Sequence, residues 1–392
     1  MAPEVHRPTV KRLALLVVGM MQAKSAVPAR VARALYALHL TEASAESTER
    51  RLRRLENDSH LTAALCFHPF ARQYLRLGRP RQLILILDPT LQKDRVVMLT
   101  AALWYRGRAL PLAWTLWPAN VPLEGASFWQ RVQGLLDQVV PLLPVGVPVI
   151  WVADRAFGTP AFIDLVTARG WHYVVRVQGQ TRYRDFWGRS QALSTLAPQR
   201  GVRRTLRGQV FKKAGWRTAN IVVYWGPRHC EPLCLVSDLP FRWALLHLYR
   251  RRSPVEALFR DYKSFGWQWE QGQVRDLAHL ERLLVGMALA TWFALLAGSQ
   301  VAADWLAKAV STCRRTRLWV GKYSLFQLGV LCWQRWLSGH GGDLSPGYLT
   351  DWEAPAWQEH VRNHLARAFI FGSGGYRPSR STANVLAETV RP

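Results

Sequence analysis

The chain has 392 residues, 49% of them hydrophobic, enough to build a large core and to exclude wholesale disorder. Its 52 lysines and arginines outnumber 26 aspartates and glutamates, a net charge of +26 that points to a polyanionic partner such as nucleic acid. Five cysteines are too few to staple a chain of this length, which excludes a disulfide scaffold and fits a reducing compartment.

Of the basic residues 44 are arginine and 8 lysine, a balance that suits bidentate contacts to phosphate. Coding bias accounts for part of that ratio but not for the scarcity of acids.

Residues 1–75 read as mainly helical. The apolar stretch Leu13 to Met21 follows Lys11 and Arg12, but it runs into Gln22 and Lys24 with no small-residue cleavage site, so no secretory signal is expected. Val27 to Leu40 carries apolar residues at helical spacing around Arg30 and Arg33. The stretch TEASAEST reads as a loop or helix start. Beyond it Arg50, Arg51, Arg53 and Arg54 form either a phosphate-facing or a merely solvated helix face.

Residues 82–87, QLILIL, predict a buried strand ending at Asp88, before Pro89. The apolar runs 94–105 and 109–117 flank Arg106-Gly107-Arg108, which predicts adjacent strands joined by a tight turn. A helix is expected over 127–140, and a strand over 147–152 that ends at Asp154. A second helix over 162–169 should stop at Gly170, with a strand following over 171–177. Two acids thus sit at the strand-end edge where open α/β sheets gather ligands and metals, though a carboxylate there is often only a turn former.

From 181 to 240 short alternating runs with many basic residues predict a β-rich insertion with a basic surface. Cys230 and Cys234, next to His229, have the look of half a zinc site. No second ligand pair follows at finger spacing, so they read as strand residues. Residues 243–300 read as helical, and the apolar run Leu283 to Gly298 as a buried helix rather than a membrane span. Residues 301–371 read as mainly helical, and the Gly- and Ser-rich 372–392 as a flexible tail.

The segment Tyr249 to Lys263 carries the most information. Ser253, Pro254 and Glu256 match N-cap, N1 and N3 of a capping box, so Glu256 has a purely structural reading. Glu256 and Lys263 lie seven positions apart, which places both near one helix face, suited to a metal and a phosphate. Two hard divalent ions about 4 Å apart clamp the oxygens of an in-line phosphodiester displacement, and carboxylates are their natural ligands.

Tyr249, Arg252, Glu256 and Lys263 satisfy the pattern Tyr, two residues, Arg, three residues, Glu, six residues, Lys. In this the chain resembles a branch of the bacterial insertion-sequence transposases with a DDE, ribonuclease-H-like catalytic domain. WVADRAFGTPAFIDLVTARGWHYVVRV resembles that family's second-aspartate region, and Asp88 in LILDPT its first. The resemblance is good over roughly 80–300 and looser before it.

The resemblance implies an α/β, ribonuclease-H-like mixed sheet with flanking helices. Residues 1–75 would be a helical region binding DNA ends, through Arg30, Arg33, Arg50, Arg51, Arg53 and Arg54. The catalytic domain would comprise 76–180 and 241–300, interrupted by the β-rich 181–240. Asp88, Asp154 and Glu256 would bind two Mg²⁺ ions, with Mn²⁺ able to substitute, for cleavage at the element ends and 3′-OH strand transfer. Tyr249, Arg252, Lys263 and Arg155 would contact phosphates, and Trp225 or Trp216 would hold a flipped base. Double-stranded DNA is the implied partner, a homodimer the implied synaptic unit, and the bacterial cytoplasm, without a membrane, the implied location. A transposase-derived nuclease and a non-catalytic DNA-binding protein of the same descent are the alternatives.

Overall fold

The computed structural model describes residues 6–311 apart from 122, 124, 241 and 242, and residues 323–339. Helices α1 (Arg7–Ala23), α2 (Pro28–Ala37) and α3 (Ala45–Glu56) come first, followed by α4 (His68–Leu77). Ser44 caps α3 by accepting a bond from the Ser47 N–H at 3.2 Å. Leu52 and Leu55 of α3 are buried while Arg50, Arg51, Arg53 and Arg54 are exposed, the division an amphipathic surface helix requires.

The centre is a ten-stranded sheet with helices against it, a mixed α/β fold. Its strands are β1 (Leu83–Gln92), β2 (Val96–Tyr105), β3 (Arg108–Pro118), β4 (Val149–Ala153), β5 (His172–Val177), β6 (Arg182–Arg184), β7 (Ser190–Ala192), β8 (Arg203–Val210), β9 (Arg217–Tyr224) and β10 (Leu233–Ser237). They lie in the order β3-β2-β1-β4-β5-β10-β9-β8-β6-β7. Pairs β1–β4 and β4–β5 are parallel and nearly all buried, as the unbroken apolar runs predict. The β2–β3 turn has positive φ at Arg106 and Gly107, the geometry that matches hairpin twist.

One expectation changes here. Strand β1 does not end at Asp88: it continues to Gln92, with Asp88 opposite Thr100 and Pro89 opposite Leu99 of β2. What ends at Leu87 is the pairing with β4, whose last registered residue is Ala153. On that side Pro89 therefore forfeits no ladder bond for want of an N–H. The strands of 181–240 extend the central sheet. Strand β10 pairs with β5, covering what would otherwise be an open edge, and β9, β8, β6 and β7 follow outward.

Helices α5 (Gly125–Val139) and α6 (Pro160–Thr167) flank the sheet, as do α7 (Ala244–Arg250) and α8 (Pro254–Arg260). The long α9 (Leu277–Ser311) packs on α1, β3 and α10 (Leu325–Leu337). By length and composition Leu277–Ala302 is able to cross a membrane, yet 83% of its most apolar window is buried inside the protein. A Cβ at Gly298 or Gly329 would overlap the backbone carbonyl of Leu325 or Ala294, so both glycines are needed for the close α9–α10 crossing. The expected tail 372–392 and most of 301–371 lie outside the described residues.

Candidate active site

Sheet register brings the two aspartates together. Leu87 of β1 pairs with Ala153 of β4, so Asp88 and Asp154 each follow the last parallel pair and emerge side by side on one face. The loop after Asp154 lies flat on β5, because a Cβ at Gly158 would strike the carbonyl of Arg176. Helices α7 and α8 cover this face from the other direction and bring in the Tyr249–Lys263 segment.

Ser253 does not cap α8. Its backbone is itself helical, and its hydroxyl donates to the Arg250 carbonyl at 3.1 Å. Pro254 still occupies the first turn, where its missing N–H costs nothing. With no cap to close, the Glu256 carboxylate accepts from Arg252 Nη2 at 2.9 Å. Arg252 Nη1 donates to Asp88 at 3.0 Å, so one guanidinium bridges two of the three acids. The Tyr249 hydroxyl donates to Asp154 at 3.1 Å, and Arg176 Nη1 stands 3.9 Å from the same carboxylate. Asp88 and Glu256 therefore share Arg252, while Asp154 is held by Tyr249, and no side-chain hydrogen bond joins the two sets among the described residues.

The electrostatics follow from this geometry. Burial pushes the Asp88 carboxyl up to about 6; Arg252 pulls it down, and the charges of Asp154 and Glu256 push it back up. Burial, then the charge of Asp154, raises the Tyr249 phenol to about 12, so it stays protonated as a donor. The three adjacent arginines at the end of α7 separate: Arg250 lines a neighbouring cavity, Arg251 lies 4.4 Å from the Trp104 ring centre, and Arg252 bridges the acids.

Lys263 departs from expectation. After Arg260 the helix widens to a π turn, Asp261–Phe265, so helical spacing no longer sets its direction. Its ammonium lies 3.9 Å from Glu270, and no contact with Glu256 is present among the described residues. Buried Arg108 of β3 holds that turn through Asp261, an ion pair that fixes α8 on the sheet. Arg155 donates to Glu231 at 3.1 Å, the carboxylate that Arg176 also contacts.

A cavity of about 550 Å³ opens beside Asp154, lined among others by Arg176, Tyr224, Arg228, Tyr249, Arg250 and Arg252. Neither Trp225 nor Trp216 lines it. The Trp225 indole donates to the His229 carbonyl at 3.0 Å, and Trp216 lies beneath Arg184 at 4.9 Å. Tyr224 and Tyr249 are in its lining. Sequence reading missed Arg176 and Glu231; the signal for the former was present as the arginine of YVVRV. At the N-terminal end Arg30 bonds Gln268, tying α2 to the segment after the π turn, and Arg53 pairs with Glu49 at 2.7 Å. Cys234 is buried in β10, where burial pushes its thiol up to about 12, and Cys230 is exposed.

The donor set of Asp88, Asp154 and Glu256 consists of carboxylate oxygens alone, which suits a hard divalent ion. With Arg252 between Asp88 and Glu256 the acids do not converge on one point. Among the described residues no group of three or more His, Cys, Asp or Glu does so.

Residues 127–293 match a family model described as a transposase DDE domain, a span that holds Asp154 and Glu256 and starts after Asp88. Among solved structures the chain is similar to a cryo-EM structure of the piggyBac transposase synaptic complex with hairpin DNA. The TM-score is 0.46 at 10% identity, covering 96% of this chain and 80% of that one. No curated protein sequence matches. Through the matched span, the chain carries a DDE-transposase-like domain.

Proposed function

We propose that this protein is a DNA transposase with a ribonuclease-H-like catalytic core, in which Asp88, Asp154 and Glu256 hold two Mg²⁺ ions, with Mn²⁺ an acceptable substitute. The observation that carries the reading is the gathering of three acids from β1, β4 and α8 around one arginine and one tyrosine. Bound there, the ions would supply Lewis-acid chemistry, activating water or a 3′-OH and neutralising charge on the phosphate.

The chain's own residues do the rest. Arg252 neutralises Asp88 and Glu256 while the site is empty of DNA, and a phosphate offers it a competing anion. Its departure frees both carboxylates. Tyr249 stays protonated and donates, first to Asp154 and then to a phosphate oxygen. Arg176, Arg228 and Arg250 line the adjoining cavity and would seat the backbone of a DNA strand. Arg50, Arg51, Arg53 and Arg54 on α3, with Arg33 on α2, give an exposed basic surface for the element ends. In this reading the protein acts on DNA in the bacterial cytoplasm, and two copies pair the two ends.

The test uses the DNA bordering the gene as substrate, with Mg²⁺ or Mn²⁺. Wild type should nick it at a defined phosphate only with metal, and Asp154→Ala should lose at least a hundredfold in rate. Equal residual cleavage by the two proteins would sink the assignment.

A further inference from the structure

The sheet edge farthest from the carboxylates carries ten lysines and arginines between residues 181 and 217, against a single acid, Asp185. Of these ten, only Arg189 and Arg217 pair with carboxylates among the described residues. Strand alternation places several of the others on one face. Arg184 registers with Gln209, which puts it on the same side of the pleat as Arg207 and Arg203 of β8. Arg203 registers with Tyr224, Tyr224 with Leu233, and Leu235 with Arg176. That is the face on which Asp88 and Asp154 emerge. One side of the sheet therefore bears the acids at one end and a file of arginines towards the other.

The file ends at the β6–β7 turn, where Phe186 is 94% exposed and Trp187 75% exposed. Their rings meet edge to face at 6.2 Å, and Arg189 lies 5.3 Å from the indole centre. The turn is held by Gly188 N–H to the Asp185 carbonyl at 3.1 Å and Arg189 N–H to the Asp185 carboxylate at 2.8 Å. Two adjacent aromatics on a braced turn, beside arginines of which only Arg189 pairs with a carboxylate, fit a ligand that is anionic outside and stacked and apolar within. Duplex DNA has that structure.

We infer that the Phe186–Trp187 turn inserts between base steps of the DNA duplex that the arginine file holds, well away from the bond being cut. Six inter-strand steps separate β1 from β6, on the order of 29 Å at about 4.8 Å per step, or roughly eight to nine base pairs of duplex. At that distance the turn cannot serve the nucleotide at the carboxylates; it grips and bends the flanking helix, as apolar wedges do. The inference rests on the DNA reading above for its partner.

The test compares full-length wild type with Phe186→Ala/Trp187→Ala on a mixed-sequence duplex of about 40 base pairs carrying a fluorophore at each end. The double variant should bind on the order of tenfold more weakly, with an unchanged dependence on salt, and should lose the bend that wild type produces. Arg184→Ala/Arg207→Ala should instead flatten the salt dependence. Phe186, Trp187 and Arg207 are exposed and Arg184 half-buried, and an unchanged thermal midpoint confirms that both variants fold. If wild type binds and the aromatic variant binds and bends DNA equally well, the wedge is wrong while the transposase reading survives. If wild type does not bind duplex DNA, both fall. If wild type self-associates through this turn and the variant does not, the surface serves protein contact and the inference is overturned.

Discussion

Near β1, β3 and β4, Arg252, Arg176 and Arg108 each face at least one carboxylate. On β8, Arg203, Arg204 and Arg207 face none among the described residues. The formal charge of +26 is therefore not spread evenly. In the middle of the sheet positive charge is spent on internal acids, where low dielectric makes an unpaired ion costly. At the edge it stands in water, where exposure costs little and long-range attraction for phosphate is retained. An arginine count alone cannot distinguish these two uses.

The contrast can be broken at its strongest point first. Arg108→Ala leaves Asp261 buried without its partner and should cost about 3–5 kcal/mol in urea unfolding. Replacing both, Arg108→Met with Asp261→Leu, should restore most of that. A loss below about 1 kcal/mol from the single change would mean that the pair does not anchor α8.

Asp88 sharpens the same half of the comparison. Its folded pKa of about 6 lies above the ordinary value of 3.8, so the folded protein holds the proton more tightly than the unfolded chain does. Ionisation therefore penalises folding fully above about pH 6, and the penalty fades as pH falls from there towards 4. Asp88→Asn should be more stable than wild type by about 1–3 kcal/mol at pH 8, with the gap closing by pH 4. Parallel stability curves across that range would refute the burial argument.

The smallest effect is expected at the edge. Arg207→Ala should change stability by no more than about 0.5 kcal/mol, yet lower the salt slope of duplex binding by roughly 0.9. A large loss of stability would show that edge arginines are structural, and the contrast would vanish.

Much of this site was legible before any fold was known. Apolar runs located β1, β4 and β5 because strands buried on both faces need continuous apolar residues. The spacing from Tyr249 to Lys263 marked the segment that bears Glu256. Yet the chain at Ser253 reads as a capping box, and its alternative role for Glu256 was resolved only by Arg252, four residues back, reaching across to Asp88. The widening of the helix at Asp261 was also invisible, as was the pairing of Asp261 with buried Arg108, 153 residues away in sequence. Lys263 turns to Glu270.

The sequence by itself determined the local elements and the excess of positive charge, which rest on periodicity and composition that each segment carries alone; the three acids it offered only through a family resemblance. Tertiary structure decided that β1 runs on past Asp88, that β10 seals the edge of β5, and that two aromatics between β6 and β7 point outward. Each depends on pairing between strands distant in sequence, and register belongs to neither partner alone.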